Sequence, residues 1–239
     1  YVSASGSSGT LAAGDYLKDK YQTKIAVVEA LECPTLLHGG YGEHNIQGIG
    51  DKHVPLIHNV MNTDFVVDVS DQATNNLNMI FNTDIGRKFL IEQKNFDPTF
   101  VARLPEFGFS AIANIIASIK LAKYMDLNSD DAIITVATDG ADLYMSELNK
   151  TINDFKNNYD EIVCAELYGK HLSGLSTDNM LELSQIDKKR IFNLGYFTWV
   201  EQQGISLEDF EKRKNQEFWN SHYNYMLSLD NQIKEFNNM

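Results

Sequence analysis

Short apolar runs alternate with helical patterns over the first 150 residues of the chain. Residues 24–29 and 64–70 have the apolar, β-branched composition of buried strands, and residues 1–5 resemble the end of another. Helical spacing follows at residues 10–21 and from Asp71 to about Gln93. Because strands that alternate with helices usually form a parallel sheet covered by helices, the pattern predicts an α/β fold.

The second part of this region contains one strongly patterned helix. Residues 110–125 place apolar side chains at helical spacing: Ile112, Ile115, Ile116, Ile119 and Ala122. Residues 131–138 then predict a central strand, and a further helix begins near Ala141. The sequence becomes more polar and helical after residue 150. We therefore expect a core domain at 1–150 and a helical extension at 151–239, with helices at 188–203 and 207–236.

Composition and charge limit the classes of function. Subtracting 33 acidic from 20 basic residues leaves a net charge of −13, which does not suit a phosphate-backbone partner, so we expect no nucleic-acid binding. The longest apolar stretch, residues 111–125, is interrupted by Asn114 and lysines, so we expect no membrane span. Cys33 and Cys164 are too few for a disulfide framework and fit core positions in a reducing cytoplasm.

Two segments are rich in glycine and small polar residues. Residues 5–10, Ser-Gly-Ser-Ser-Gly-Thr, lie between a strand and a helix, where backbone N–H groups converge on anions. The segment lacks the lysine of a nucleotide P-loop and matches neither G-x-G-x-x-G nor G-x-S-x-G, so a phosphate loop and a plain turn both stay open. The loop at 30–53 contains five glycines, which indicates either close approach to a ligand or tight turns.

Metal and hydrolase chemistry are disfavoured. The pairs His38/His44 and His53/His58 lack the i, i+4 spacing of a helical metal site, and the two cysteines complete no ligand set. Serine, histidine and aspartate are all present, but no nucleophile elbow accompanies them. The sequence therefore predicts no metal site and no catalytic triad.

Five segments, taken in order, resemble a known family. They are SGSSGT, AVVEALECP, EHNIQGIG, FGFSAIANIIASIKLAK and VATDGADLY, and they are similar to the second half of cysteine synthase. More broadly they resemble the fold type II pyridoxal-phosphate enzymes, nearest to bacterial pyridoxal-phosphate-dependent β subunit proteins. The resemblance implies a mostly parallel three-layer α/β sandwich with a helical C-terminal extension, and pyridoxal 5'-phosphate as cofactor.

The resemblance also assigns cofactor-binding residues. Gly6, Ser7, Ser8, Gly9 and Thr10 stand where the family's G-T-G-G-T loop holds the cofactor phosphate, although Ser8 replaces a glycine. Ser110 stands where the family's serine hydrogen-bonds the pyridine nitrogen. Taken alone, Ser110 would be interpreted as an ordinary N-cap of the following helix.

The substrate side of the cofactor is assigned in the same way. Gln47, Gly48 and Gly50 match the loop that borders the substrate, and Glu29 and Asp139 are weaker candidates on nearby strand ends. A neutral serine makes the ring a weaker electron sink than a carboxylate would. The resemblance therefore implies β-elimination or β-replacement on a small amino acid through an aminoacrylate, in a lyase or transferase of cysteine synthase type.

The Schiff-base lysine of the family has no counterpart here. Its P-x-x-S-x-K-type motif is absent, and none of the following has that context: Lys18, Lys24, Lys52, Lys88, Lys120, Lys123 and Lys170. We therefore interpret the chain as the C-terminal part of a longer enzyme and expect it to be inactive alone. The resemblance further implies a homodimer, and the two cysteines, as above, fit a cytoplasmic location.

The C-terminal segment leaves two further alternatives open. Residues 188–204 resemble the extension of larger bacterial relatives, and Tyr196, Phe197 and Trp199 would either line an interface with a second subunit or pack on the chain's own core. One alternative function is the β subunit of a 2-amino-4-oxopentanoate thiolase-like enzyme with a partner subunit. The other is a non-catalytic interaction scaffold.

Overall fold

The computed structural model describes residues 1–50, 52–156 and 158–238, and it contains one mostly parallel sheet. The strands are β1 (Val2–Ala4), β2 (Ala26–Ala30), β3 (Phe65–Val69) and β4 (Met180–Glu182), in the spatial order β1-β2-β3-β4. The first three run parallel, with Val28 opposite both Ala4 and Val67, and β4 joins β3 in the antiparallel direction. The predicted α/β class is confirmed.

Helices account for most of the remaining chain. They are α1 (Leu11–Tyr21), α2 (Thr35–His38), α3 (Asp71–Asn82), α4 (Asp84–Glu92), α5 (Pro98–Arg103), α6 (Phe109–Tyr124), α7 (Met145–Asp154), α8 (Glu161–Tyr168), α9 (Gln185–Leu194), α10 (Leu207–Lys212) and α11 (Gln216–Asn237). Short 3₁₀ turns lie at Val60–Asn62, Leu104–Glu106 and Ala141–Tyr144, and π-helical turns at Gly169–Ser173 and Phe197–Gln202. No helix in the described ranges is long and apolar enough to span a membrane.

The sheet has apolar residues on both faces, which produces three layers. Alternate strand residues point to opposite sides, so Val28 and Val67 pack with α3 and α6, whereas Val27 and Val66 pack with α1 and α9. Helix α6 crosses the first face and contacts β1, β2 and β3. This layering places the carboxyl ends of the parallel strands at one edge, where their following loops meet.

One predicted strand is wrong. Residues 131–138 form a single bridge, Thr135 to Val2, and lie beside edge strand β1 instead of in the sheet centre. The main-chain N–H of Val2 donates to the Ile134 oxygen and the Thr135 hydroxyl donates to Val2. Because β1 is only three residues long and Ile134 is 53% exposed, neither pairing nor burial supports a longer ladder.

The predicted helix at 71–93 is two helices. Thr83 ends α3 and begins α4: its hydroxyl accepts the Gly86 N–H at 3.1 Å and donates to the Met79 oxygen at 2.9 Å. Thr83 is itself extended, with ψ 153°, so the helix turns there. A threonine cap inside an apolar periodic pattern thus divides the helix.

The residues after 150 also contribute to the sheet. Strand β4 was not predicted, and the predicted helices at 188–203 and 207–236 are each interrupted, as α9 with a π-helical turn and as α10 with α11. Tyr196 and Trp199 pack against the apolar cluster that contains Phe192 and Phe210, whereas Phe197 is 71% exposed. The division at residue 150 stays a prediction.

Candidate functional site

The turn between β1 and α1 forms a cradle of backbone donors, residues 6–10. Within the described part of the chain, no group accepts a hydrogen bond from the amides of these five residues. Ser8 adopts φ +69°, the left-handed conformation that glycine favours, although it carries a Cβ. The serine that replaces the family's glycine therefore still adopts the turn.

Side chains hold the cradle in place from below. The Ser3 hydroxyl donates to Thr10 Oγ1 at 2.7 Å, and the Tyr1 hydroxyl donates to the Thr10 main-chain oxygen at 2.8 Å. The hydroxyls of Ser5 and Ser8 lie 3.0 Å apart. These bonds engage side chains and a carbonyl, so they leave the cradle amides free.

Helix α6 forms the opposite wall. The Asn114 side chain, 2% exposed, accepts the Ala4 N–H at 2.7 Å and donates to the Val136 oxygen at 2.9 Å. These two bonds fix α6 to β1 and to residues 131–138. Ser110 lies one turn earlier, and its hydroxyl is 3.3 Å from Thr138 Oγ1. Gly108 is the N-cap of α6, so Ser110 does not cap the helix.

The cradle and α6 enclose a cavity of about 290 Å³, the main cavity. This volume is near the lower end of small-molecule sites, which start at roughly 300 Å³. Its lining unites the predicted cofactor-binding residues Gly6, Ser7, Ser8, Gly9, Thr10 and Ser110 with Gly48, and adds Asn114 and Thr138. A Cβ on Gly6 would lie 3.1 Å from the Gly48 oxygen, so the two loops approach closely at this wall.

Four predicted substrate-side residues lie elsewhere. Gln47 is exposed and donates to the Asn45 side chain. Gly50 and Glu29 line a much smaller cavity of about 10 Å³, the rear cavity, which shares only Gly6 with the lining of the main cavity. Asp139 lines an open depression of about 520 Å³ beside the main cavity. The structure therefore groups Gly48 with the cofactor-binding residues and separates the others.

Carboxylates support the glycine-rich loop. Asp71 accepts the main-chain N–H groups of Asn45 at 2.6 Å and Ile46 at 3.1 Å, just before Gly48. Glu32 in turn accepts the Asp71 N–H at 3.0 Å. The Gly50 N–H donates to the Ser5 oxygen at 2.8 Å, so the loop is tied to the start of the cradle.

Two acids at this edge have raised pKa values. Burial raises the pKa of Asp68 to about 9, and the charge of Glu29 adds to the effect. Burial also raises the pKa of Glu29, against the hydrogen bonds it accepts from Leu36 and Leu37. Beside the main cavity, burial and the neighbouring Asp139 raise the pKa of Tyr144 to about 12.

Neither a lysine nor a metal-binding cluster accompanies the cavity. No lysine is among the residues that line the main cavity. Lys120 is buried, but its Nζ lies 3.0 Å from the Asp68 main-chain oxygen. Within the described ranges, no group of three or more His, Cys, Asp or Glu side chains is arranged to hold a metal ion.

Sequence reasoning missed Asn114, Thr138 and Asp71. Asn114 is a polar residue four positions after Ser110 within an apolar helix, and that spacing puts both on one face. Asp71 follows Ser70 at a helix start, where an acid is expected for helix stability alone. The spacing of Ser110 and Asn114 could therefore have indicated Asn114 from the sequence. The role of Asp71 could not be predicted, because it depends on a loop whose path the sequence does not give.

Solved structures define the class of fold. Similarity extends to the hydrogen sulfide-producing enzyme of Fusobacterium nucleatum, with TM-score 0.51 and 24% identity over 76% of this chain and 47% of that one. It also extends to O-acetyl serine sulfhydrylase isoform 3 of Entamoeba histolytica, with TM-score 0.50 and 24% identity over 70% and 44%. The fold is that of the fold type II pyridoxal-phosphate enzymes, as the resemblance predicted.

Sequence similarity points to a particular relative. The chain is 31% identical over 148 residues to cysteine synthase B of Campylobacter jejuni, which covers 61% of this chain and 42% of that protein. The chain therefore spans about two fifths of the length of this relative. No family model matches the sequence. The predicted resemblance to cysteine synthase is confirmed over this shared region.

Proposed function

We propose that the main cavity binds pyridoxal 5'-phosphate and that the chain is part of an enzyme of cysteine synthase type. The observation that carries the proposal is the set of five unpaired amides at residues 6–10, at the N-terminus of α1. Similarity to cysteine synthase B supports the same assignment. The cradle suits a phosphate group because converging N–H groups and the helix dipole both favour an anion.

The residues of the main cavity suit the cofactor at both ends. The cradle would hold the phosphate through main-chain N–H groups, so the serines that replace other residues of the family loop are tolerated. Ser110 on the opposite wall would hydrogen-bond the ring nitrogen, because among the described residues its hydroxyl contacts only the Thr138 hydroxyl, at 3.3 Å. Asn114 positions both walls through its two bonds.

The neutral hydroxyl of Ser110 determines the class of chemistry. When bound, pyridoxal phosphate supplies the electron-withdrawing ring that activates bonds at the α and β carbons of an amino acid. A hydroxyl does not hold the ring nitrogen protonated as a carboxylate would. The proposed reactions are therefore β-elimination and β-replacement on a small amino acid.

The lysine that attaches the cofactor is proposed to lie outside these 239 residues. No lysine lines the main cavity, and buried Lys120 is bonded to the main chain of β3 and paired with Asp178. On this proposal the chain binds the phosphorylated ring but does not catalyse the reaction alone.

The direct test uses pyridoxine 5'-phosphate, which lacks the aldehyde and so reports binding without attachment to any lysine. We expect saturable binding by calorimetry, with NMR shifts concentrated at the amides of residues 6–10. Unphosphorylated pyridoxine should bind at least about tenfold more weakly, because a cradle of N–H groups acts on the phosphate.

Substitution of the exposed Ser7 tests the location. Ser7→Glu places a negative charge at the cradle and should weaken binding of pyridoxine 5'-phosphate by about tenfold or more. Ser7→Gln introduces an uncharged side chain of the same shape as glutamate, and its affinity for pyridoxine 5'-phosphate should stay within a few-fold of that of the unsubstituted chain. Equal binding of the two pyridoxine forms, or shifts remote from residues 6–10, would refute the cofactor assignment and favour an interaction scaffold.

A further inference from the structure

Two acidic side chains face each other at the carboxyl edge of the sheet. Glu29 on β2 and Asp68 on β3 are register partners, so their side chains project from the same face as direct cross-strand neighbours. Glu29 is 4% exposed and Asp68 is 1% exposed. Their carboxyl groups are close enough for one to hydrogen-bond the other. Two ionised carboxylates so placed would repel each other in a medium that screens poorly.

The donors available to the two acids are unequal. Glu29 accepts the Leu36 N–H at 2.9 Å and the Leu37 N–H at 2.8 Å, at the start of α2. Within the described residues, no N–H or O–H group of a neighbour donates to either carboxyl oxygen of Asp68. Glu29 is thus equipped to be the anion of the pair, whereas Asp68 is not.

Burial and the charge of Glu29 raise the pKa of Asp68, and the charge of Lys120 offsets only part of this effect. Lys120 on α6 directs its Nζ to the main-chain oxygen of Asp68 and pairs with Asp178 at 3.4 Å. Glu32, in the turn after β2, adds further negative charge near the pair. His53 lines the rear cavity together with Glu29. A carboxyl group that lacks donors and faces other acids is stabilised by keeping its own proton.

We propose that Glu29 and Asp68 share one proton. Asp68 carries the proton and donates a hydrogen bond to the Glu29 carboxylate. Asp68 thereby acts as a positioning residue for the first turn of α2, which Glu29 holds. The pair then has one negative charge in place of two. Glu29, held by Asp68 on one side, holds the first turn of α2 on the other. The rear cavity connects this arrangement to Gly6 and Gly50, which border the cradle.

The arrangement should loosen at alkaline pH. Burial and the Glu29 charge raise the pKa of Asp68, so the folded chain keeps a proton that the unfolded chain loses near pH 4. The stabilisation is fully present below about pH 4 and is lost as the pH rises through the raised pKa of Asp68. Once Asp68 ionises, the two carboxylates repel and the bonds from Glu29 to α2 weaken.

The test compares two conservative variants. Asp68→Asn keeps a neutral donor toward Glu29, so the amides of Leu36 and Leu37 should stay protected from hydrogen exchange at neutral and alkaline pH. Glu29→Gln replaces one carboxylate oxygen by an NH₂ group, which cannot accept the main-chain N–H groups of Leu36 and Leu37. Hydrogen exchange of these two amides should therefore accelerate by about tenfold or more at every pH. In the unsubstituted chain, exchange corrected for its intrinsic pH dependence should accelerate only at alkaline pH.

A direct measurement on the unsubstituted chain covers the case in which a variant fails to fold. Carbon NMR of aspartate-labelled protein should show one carboxyl group still neutral at pH 7, identified by its loss in Asp68→Asn or, if that variant is unfolded, by its coupling to the main-chain signals of β3. An Asp68 carboxyl that titrates near pH 4, or Leu36 and Leu37 amides that exchange alike in both variants, would overturn the proposal. None of these measurements uses the cofactor, so the result is separate from that of the proposed function.

Discussion

The cradle and the Glu29–Asp68 pair lie at the same edge of the sheet, and each contains polar groups without a hydrogen-bond partner among the described residues. The cradle lacks acceptors, whereas Asp68 lacks donors. The cradle presents amides without acceptors to a cavity of about 290 Å³. Asp68 presents carboxyl oxygens without donors in a nearly closed interior. Both deficits arise where parallel strands end and their loops diverge.

The difference between the two regions is access. A donor that faces an open cavity is satisfied by solvent or by a ligand, so its deficit has little effect on folding and serves binding. An acid that faces a closed interior is stabilised by a proton, so its deficit appears as a shifted pKa. The following substitutions test this contrast, from the largest expected effect on stability to the smallest.

Asn114 is the buried polar residue of α6 whose side chain bonds to both Ala4 and Val136, and its loss should have the largest effect. Asn114→Leu leaves the Ala4 N–H and the Val136 oxygen without their partners, at about 3 kcal/mol in the free energy of unfolding. Denaturant unfolding measures the loss. Ser118→Ala, one turn later on α6, serves as the control. A loss below about 1 kcal/mol for Asn114→Leu would show that these groups find other partners.

Asp15 is a partly buried acid that does have a donor, the Asn62 side chain at 2.5 Å. Burial nevertheless raises the pKa of Asp15 to about 6, so its stabilising contribution is present below about pH 4 and is lost as the pH rises through 6. Asp15→Asn should therefore be nearly neutral at about pH 4 and stabilising by about 2 kcal/mol at about pH 8. Chemical unfolding at the two pH values measures this, with the exposed Asp19→Asn as control. An effect that is equal at both pH values would contradict the role of burial.

Ser8 tests the backbone strain within the cradle. Ser8→Ala and Ser8→Gly both remove the hydroxyl that contacts Ser5, but only glycine relieves the cost of φ +69°. We expect Ser8→Gly to unfold at a free energy about 1 kcal/mol higher than Ser8→Ala. Equal stability of the two variants would mean that the turn relaxes when the side chain is shortened.

Ser110 should have the smallest effect on stability because its hydroxyl makes one 3.3 Å contact within the part of the chain that the structure describes. Ser110→Ala should change the free energy of unfolding by less than about 0.5 kcal/mol. The same substitution should weaken the binding of pyridoxine 5'-phosphate by about fivefold. Thr138→Val is the control, because it removes the same hydroxyl contact while keeping the Ser110 hydroxyl. Unchanged affinity in Ser110→Ala would remove this serine from the proposed site.

The sequence predicts the elements that are continuous in pattern and fails where tertiary partners decide. Helices α1 and α6 and strands β2 and β3 lie within about two residues of their predicted bounds. Residues 131–138 have a strand pattern but only a three-residue edge to pair with, so they remain irregular. Strand β4 is too short for periodicity to reveal, and Thr83 divides a helix through one side-chain cap.

The same distinction applies to the candidate site. Residues 6–10, Gly48 and Ser110 line one cavity because their segments follow strand ends or face them, and their roles in binding stay predictions. Glu29 has the predicted position on a strand end, but its side chain turns toward α2. That orientation depends on Asp68 and on a loop whose path the sequence alone does not give.

The position of β4 has a consequence for how the chain acquires its structure. Met180 pairs with Val67, with more than a hundred residues between them, and the apolar face that contains Val66 is completed only by Ile191, Phe192 and Phe210. Contacts so distant along the chain form slowly, because a long loop must close before they contribute. During synthesis the three parallel strands therefore emerge well before their fourth neighbour, and we expect completion of the sheet to be a late step of folding.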